Sequence, residues 1–210
     1  MADWVTISAL ATAGGTLALA ASTFGSVRSA NRAARVAEQS LLANLRPLLV
    51  PSRIDDPPQE VPFSDDRLIM LPGGGAVVET TDNAIYLAIS LRNVANGIAV
   101  LHGWRFEQGW TTGGGQQPEL DEFNRLTRDI YVAPGDLGYW QGTFRDPAST
   151  GFQHAAAAIE SGDRITVDVL YGDQEGGQRM ISRISIRQLE QGRWVAASGR
   201  HWHLDRPAPR

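Results

Sequence analysis

Polar and apolar positions change rhythm once along this chain, near residue 46. Ahead of that point the pattern is helical; beyond it, short alternating runs are broken by Gly, Pro, Asn and Asp. From Trp4 to Val27 no residue is charged, and about 20 such residues are what a helix needs to span the hydrocarbon core of a bilayer. Ile7, Leu10, Leu17, Leu19 and Phe24 supply most of the apolar drive, and Trp4 stands where an interfacial aromatic stands. The favoured reading is a transmembrane helix. Two rivals are weaker. A cleaved signal peptide finds a small-x-small site at Ala18-Leu19-Ala20, but the Met-Ala-Asp start lacks the basic region expected ahead of it. The other rival is a soluble, buried helix.

The flanks set an orientation. Asp3 precedes the apolar stretch; Arg28, Arg32 and Arg35 follow it. Arginines near the end of a span stay preferentially in the cytoplasm, so the expectation is a single-pass protein of the inner or plasma membrane. Its N-terminus lies outside and its C-terminal domain is cytoplasmic. The helix is expected to run on past the membrane, because residues 28–45, "RSANRAARVAEQSLLANL", contain no Gly or Pro, and Pro47 supplies the break. The three arginines share a face with Gln39 and suit anionic headgroups, or simply solvate the helix and fix topology. Within the span, Gly14, Ala18, Ser22 and Ser26 recur every fourth residue, a spacing that lets two helices approach closely and makes self-association a candidate.

From residue 47 the pattern predicts strands at about 47–53, 67–71, 76–80, 85–93, 97–107, 129–133, 138–144, 164–171, 179–188 and 193–204. "IYLAISLRN" sets Tyr86, Ala88 and Ser90 on one face against Leu87, Ile89 and Leu91 on the other. "RITVDVLYGD" alternates Ile165, Val167, Val169 and Tyr171 against Thr166 and Asp168, with Asp168 expected to meet Arg179 or Arg183 across a strand pair. One short helix is expected at 151–160, capped by Ser149 or Thr150. Two polar stretches, 55–66 and 109–123, read as long loops. The predicted fold is mainly β, with domain bounds of 1–46 for the anchor, 47–205 for a β-sandwich and 206–210 for a tail.

"LRNVANGIAVLHGWRF", then "YVAPGD", then "VDVLYGDQEGGQRMISRISI" together resemble uncharacterised bacterial single-pass membrane proteins. In that type an N-terminal anchor helix carries an immunoglobulin-like antiparallel β-sandwich. The type usually closes one strand with Asn-Val-Gly-x-Gly; here Ala95 stands in place of the first glycine, which implies a less sharp bend. The resemblance covers most of the chain, and its motifs are structural, so it implies a fold and a topology and no activity.

Composition removes several chemistries. All 19 basic residues are arginine and no cysteine is present, which excludes lysine nucleophiles, thiolate catalysis, disulfides and cysteine-based zinc sites. A net charge of −4 gives no basic surface for nucleic acid. In "RHWHLD", His201 and His203 fall on one face of a strand, as paired metal ligands do, yet nothing in the spacing selects a third from His102, His154 or a carboxylate. Packing of a terminal strand is the plainer reading, and no cofactor is assigned. "LPGGGAVVE" and "TTGGGQQ" lack the Gly-Lys-Ser/Thr and following helix of a phosphate loop. The acids Asp55, Asp56, Glu60, Asp65 and Asp66 lack the spacing of a calcium loop. There is no Gly-x-Ser-x-Gly elbow. Trp110, in a Gly-rich loop, is the best candidate for contact with a partner. The expected function is a membrane-anchored, non-enzymatic interaction or scaffold module whose partners are the lipid bilayer and either another protein or a second copy. A ligand- or ion-sensing accessory domain is the alternative, and an unrecognised enzyme a more distant one.

Overall fold

The computed structural model describes residues 3–108, 115–189 and 192–205. The chain divides into two compact units, Met1–Ala43 and Asn44–Arg210. The first is one α-helix, α1, Trp4–Asn44, of 41 residues. At about 1.5 Å per residue it is roughly 60 Å long. It stops three residues before Pro47, whose ring disfavours helical geometry in the residue ahead of it.

The second unit is mainly β and antiparallel. Its strands are β1 (Leu49–Pro51), β2 (Gln59–Pro62), β3 (Leu68–Leu71), β4 (Gly75–Thr80), β5 (Ile85–Asn93) and β6 (Ala99–Gln108). Then come β7 (Asn124–Val132), β8 (Leu137–Phe144), β9 (Ile165–Gly172), β10 (Met180–Gln188) and β11 (Trp194–His203). Among the described residues nine strands form one sheet in the order β1-β5-β4-β11-β10-β9-β6-β7, with β8 on the free side of β5. Only two residue pairs, Trp194 with Ala76 and Val195 with Gly75, join β11 to β4. The strands on either side of that narrow joint nevertheless share one apolar core, in which Leu87, Ile89, Trp140, Val167, Val169 and Ile184 are fully buried.

Strand β5 is buried along nearly its whole length. Alternation explains half of this: Ile85, Leu87, Ile89 and Leu91 face the main core. The opposite face, with Tyr86 and Ala88, is covered by Val61, Ile69 and Leu71 of a separate two-stranded sheet, β2 with β3, and by Phe63 just after β2. That hairpin occupies part of the stretch 55–66 that reads as a polar loop. Its Pro57 and Pro58 and five acids mask the apolar pair Val61 and Phe63.

Helix α2 (Thr150–Glu160) begins at Ser149, whose Oγ accepts from the Phe152 N–H at 3.3 Å, and it turns Ala155 and Ala158 into the core. The "LRNVANG" stretch closes β5 through Asn93, which is fully buried. Its amide nitrogen donates to the Gly97 and Val132 carbonyls at 2.6 and 3.0 Å. Its Oδ1 accepts from the Leu48 and Ala95 N–H groups at 3.3 and 3.2 Å. Gly97 is required here, because a Cβ would run into the Leu45 carbonyl. The "APGD" turn then reverses the chain through Gly135 at φ 79°, and the Gly135 N–H donates back to the Asn93 carbonyl at 2.9 Å.

Candidate functional site

The N-terminal part of α1 is apolar and exposed. One helix, Ile7–Asn44, is long and apolar enough to cross a membrane, with a mean hydropathy of 1.4 in its best window and none of that window buried. Its polar side chains satisfy themselves. Thr12, Thr16, Ser22 and Thr23 donate to the carbonyls of Ser8, Thr12, Leu19 and Leu19 at 2.8–2.9 Å, a pattern that spares a hydroxyl the cost of lying bare in hydrocarbon. Gly14, Ala18 and Ser22 are exposed, and a Cβ on Gly14 would meet nothing within 4 Å. Arg28, Arg32 and Arg35 are exposed on the same helix.

Asp168 does meet an arginine across the strand pair, and it is Arg183, its register partner in β10. The contact is bidentate, with Nε to Oδ1 at 2.7 Å and Nη2 to Oδ2 at 2.8 Å, and the carboxylate is fully buried. Arg105 of β6 adds a third bond at 3.1 Å, Glu107 bridges both arginines at 3.0 Å, and Glu122 holds Arg105 at 2.8 Å. Trp202 lies beneath the Arg183 guanidinium at 4.9 Å. Its hydrogen bonds to the Asp168 carboxylate raise the pKa of Arg183 above its usual value. Both arginines are already engaged by carboxylates, so this cluster reads as a structural clasp over β6, β9, β10 and β11. Arg179 instead pairs with Asp205 at 2.7 Å.

His201 and His203 lie on one face of β11, but His201 is committed elsewhere. Its Nδ1 shares a hydrogen bond with Ser182 Oγ at 2.7 Å, and Ser182 in turn meets the Tyr171 hydroxyl at 2.8 Å. The Tyr171 oxygen accepts from the Leu49 N–H at 3.2 Å. Burial, and then the neighbouring His203, pushes the His201 pKa below its usual 6.5. Among the described residues no group of three His, Asp or Glu side chains could hold a metal ion. Of the acids in 55–66, Asp56 pairs with Arg92 at 2.5 Å, and Asp65 bonds Tyr86 and Arg145. Trp110 lies outside the described residues.

Sequence patterning did not single out the cleft between β7 and β8. These strands are consecutive, yet no ladder joins them among the described residues: β7 pairs with β6 and β8 with β5. They touch at the Pro134–Gly135 turn, where Val132 packs so closely on Gly138 that no Cβ fits there, and then part. Between them lies a cavity of about 340 Å³. Trp104, Ile130 and Phe144 line it, and Phe63 stands over one end. Trp104 packs edge-on against Phe144 and Trp140 with centroids 5.3 Å away in both cases. Arg125, Arg128 and Arg145 also line the cavity, and no Asp or Glu does. Arg128 Nη2 donates to the Pro62 carbonyl and the Tyr139 hydroxyl, each at 3.0 Å. Arg145 holds Asp65 and Ser64 at 3.2 and 3.0 Å. A signal was present in the arginines of "NRLTRD" and "TFRD", but nothing in either segment reveals that the two meet across a gap.

No family model and no curated protein matches the chain. Among solved structures, a protein from Archaeoglobus fulgidus aligns over 61% of this chain and 92% of its own, at 11% identity and a TM-score of 0.24. That score is too low to support an argument about fold or function.

Proposed function

We propose that this protein is a single-pass, membrane-anchored, non-enzymatic interaction module of a bacterial inner or plasma membrane. The observation that carries the reading is α1: 24 uncharged residues, Trp4–Val27, within one unbroken and exposed helix whose hydroxyls bond its own carbonyls. At 1.5 Å per residue those residues cover roughly 36 Å, against a hydrocarbon core of about 30 Å. Arg28, Arg32 and Arg35 favour a cytoplasmic location for everything after them. The open stripe of Gly14, Ala18 and Ser22 supports self-association as one mode of assembly.

The β unit is read as an immunoglobulin-like sandwich of the type that the sequence resembles. Strand neighbours support this. Strand β5 lies between β8 and the pair β1 and β4, while β10-β9-β6-β7 run side by side. These match the A-B-E and G-F-C-C′ neighbours of a variable-type sandwich, with β11 added beyond G. A ligand-sensing accessory role is the second reading, favoured by the β7–β8 cleft. Protease treatment of intact spheroplasts and of inverted vesicles tests the orientation. The 47–210 domain is expected to be digested only in inverted vesicles; digestion in intact spheroplasts would overturn the cytoplasmic placement.

A further inference from the structure

We propose that the cleft between β7 and β8 is a binding site for a small organic anion, one that carries a carboxylate or phosphate head on an apolar body. The inference rests on the domain alone and does not depend on the membrane reading. Three features of the cleft converge on that ligand.

The first is charge. In a chain of net charge −4, the lining of this cavity takes in three arginines and no carboxylate. Arg128 and Arg145 are spoken for in part by Pro62, Tyr139, Asp65 and Ser64. Arg125 pairs with Gly103 and so leaves β7 on the face opposite Trp104. Arg128 bonds through Nη2 alone, and its Nε and Nη1 make no hydrogen bond or ion pair among the described residues. It is exposed, and those nitrogens are available to donate to a carboxylate or phosphate.

The second is the arrangement of polarity. Trp104, Ile130 and Gly142 are buried and form the floor, whereas Arg128 and Arg145 are exposed at its rim. A Cβ at position 142 would come within 2.7 Å of Trp140 and 3.3 Å of Trp104, so the floor there is aromatic face and bare backbone. An apolar body fits below and an anionic head above.

The third is size and closure. At about 340 Å³ the cavity has the volume of a small-molecule site. Val132 closes the gap between β7 and β8 at the turn beyond it, and Phe63 and Ser64, the latter bonded by Arg145, are part of its lining. The unpaired edges of β7 and β8 offer a bounded ligand backbone groups as well as arginines.

The test is isothermal titration of the full-length protein in phosphatidylcholine nanodiscs with phenylacetate, phenyl phosphate and the uncharged phenylacetamide. Arg128→Glu, Arg128→Lys and the unaltered chain are compared, with circular dichroism confirming that each is folded. At least one anion is expected to bind with a dissociation constant below about 10 mM, and the amide at least about tenfold more weakly. R128E should weaken the anion by about tenfold or more, and R128K should restore most of that loss. Which head group binds tighter tells carboxylate from phosphate. Equal binding of anion and amide, equal binding by R128E, or no binding of either anion below that concentration would overturn the assignment.

Discussion

Asn93 shows how much of this domain hangs on single polar side chains. It saturates all four of its bonding positions with backbone from Leu48 just ahead of β1, from the β5–β6 loop and from β7, with no exposure to solvent. Truncation leaves buried N–H and C=O groups bare, which costs more than the bonds themselves stabilise. Asn93→Ala is therefore expected to lower unfolding stability by about 2–3 kcal/mol in urea titration. Asp168 poses the charged version of the same problem. Asp168→Asn leaves Arg183 and Arg105 facing each other without their buried counter-ion, so a loss of about 3–5 kcal/mol is expected by the same measurement. His201 adds a pH term. Its folded pKa lies below the usual 6.5 because burial disfavours the charged ring. The fold thus prefers the neutral form, and this contribution is complete above pH 6.5 and fades as pH falls through the depressed folded value. The urea midpoint should drop between pH 7 and pH 5, and the part of that drop due to His201 should vanish in His201→Gln.

At the scale of elements, local rhythm and long-range packing divide what the sequence reveals. Strands β5, β9 and β10 and helix α2 fall where their apolar and β-branched runs and the Ser149 cap place them, because local pattern decides their extent. Strand β7 begins at Asn124, five residues ahead of its predicted start, since "NRLTR" has no apolar period and is shaped by its ladder with β6. Strand β2 was hidden by its prolines, for it is defined by the outer face of β5 that it covers. Asp168 had two candidate arginines four residues apart on the same arm of the hairpin, and only the register of β9 on β10 selects Arg183. The β7–β8 cleft was illegible for a related reason: it exists where two neighbouring strands fail to pair. For α1 the deciding feature is charge at one end. Arg28, Arg32 and Arg35 changed together to Glu removes the cationic bias, and the β domain is then expected to become protease-accessible from outside in a measurable fraction of molecules. Unaltered protection would show that these arginines do not set the orientation.

On the scale of the whole molecule, a long apolar helix precedes a β domain whose charged side chains are mostly paired with one another: Asp56 with Arg92, Arg67 with Glu79, Asp168 with Arg183. On the proposed reading, that domain offers a partner a rigid shape at the membrane. The location is the central claim, and alkaline carbonate extraction of cells expressing the intact chain tests it most directly. The protein is expected to stay in the membrane pellet, and Leu17→Arg with Leu19→Arg is expected to release it, since each central arginine costs about 2.5–3.5 kcal/mol of insertion. Recovery of the unaltered chain in the carbonate-soluble fraction would contradict the claim.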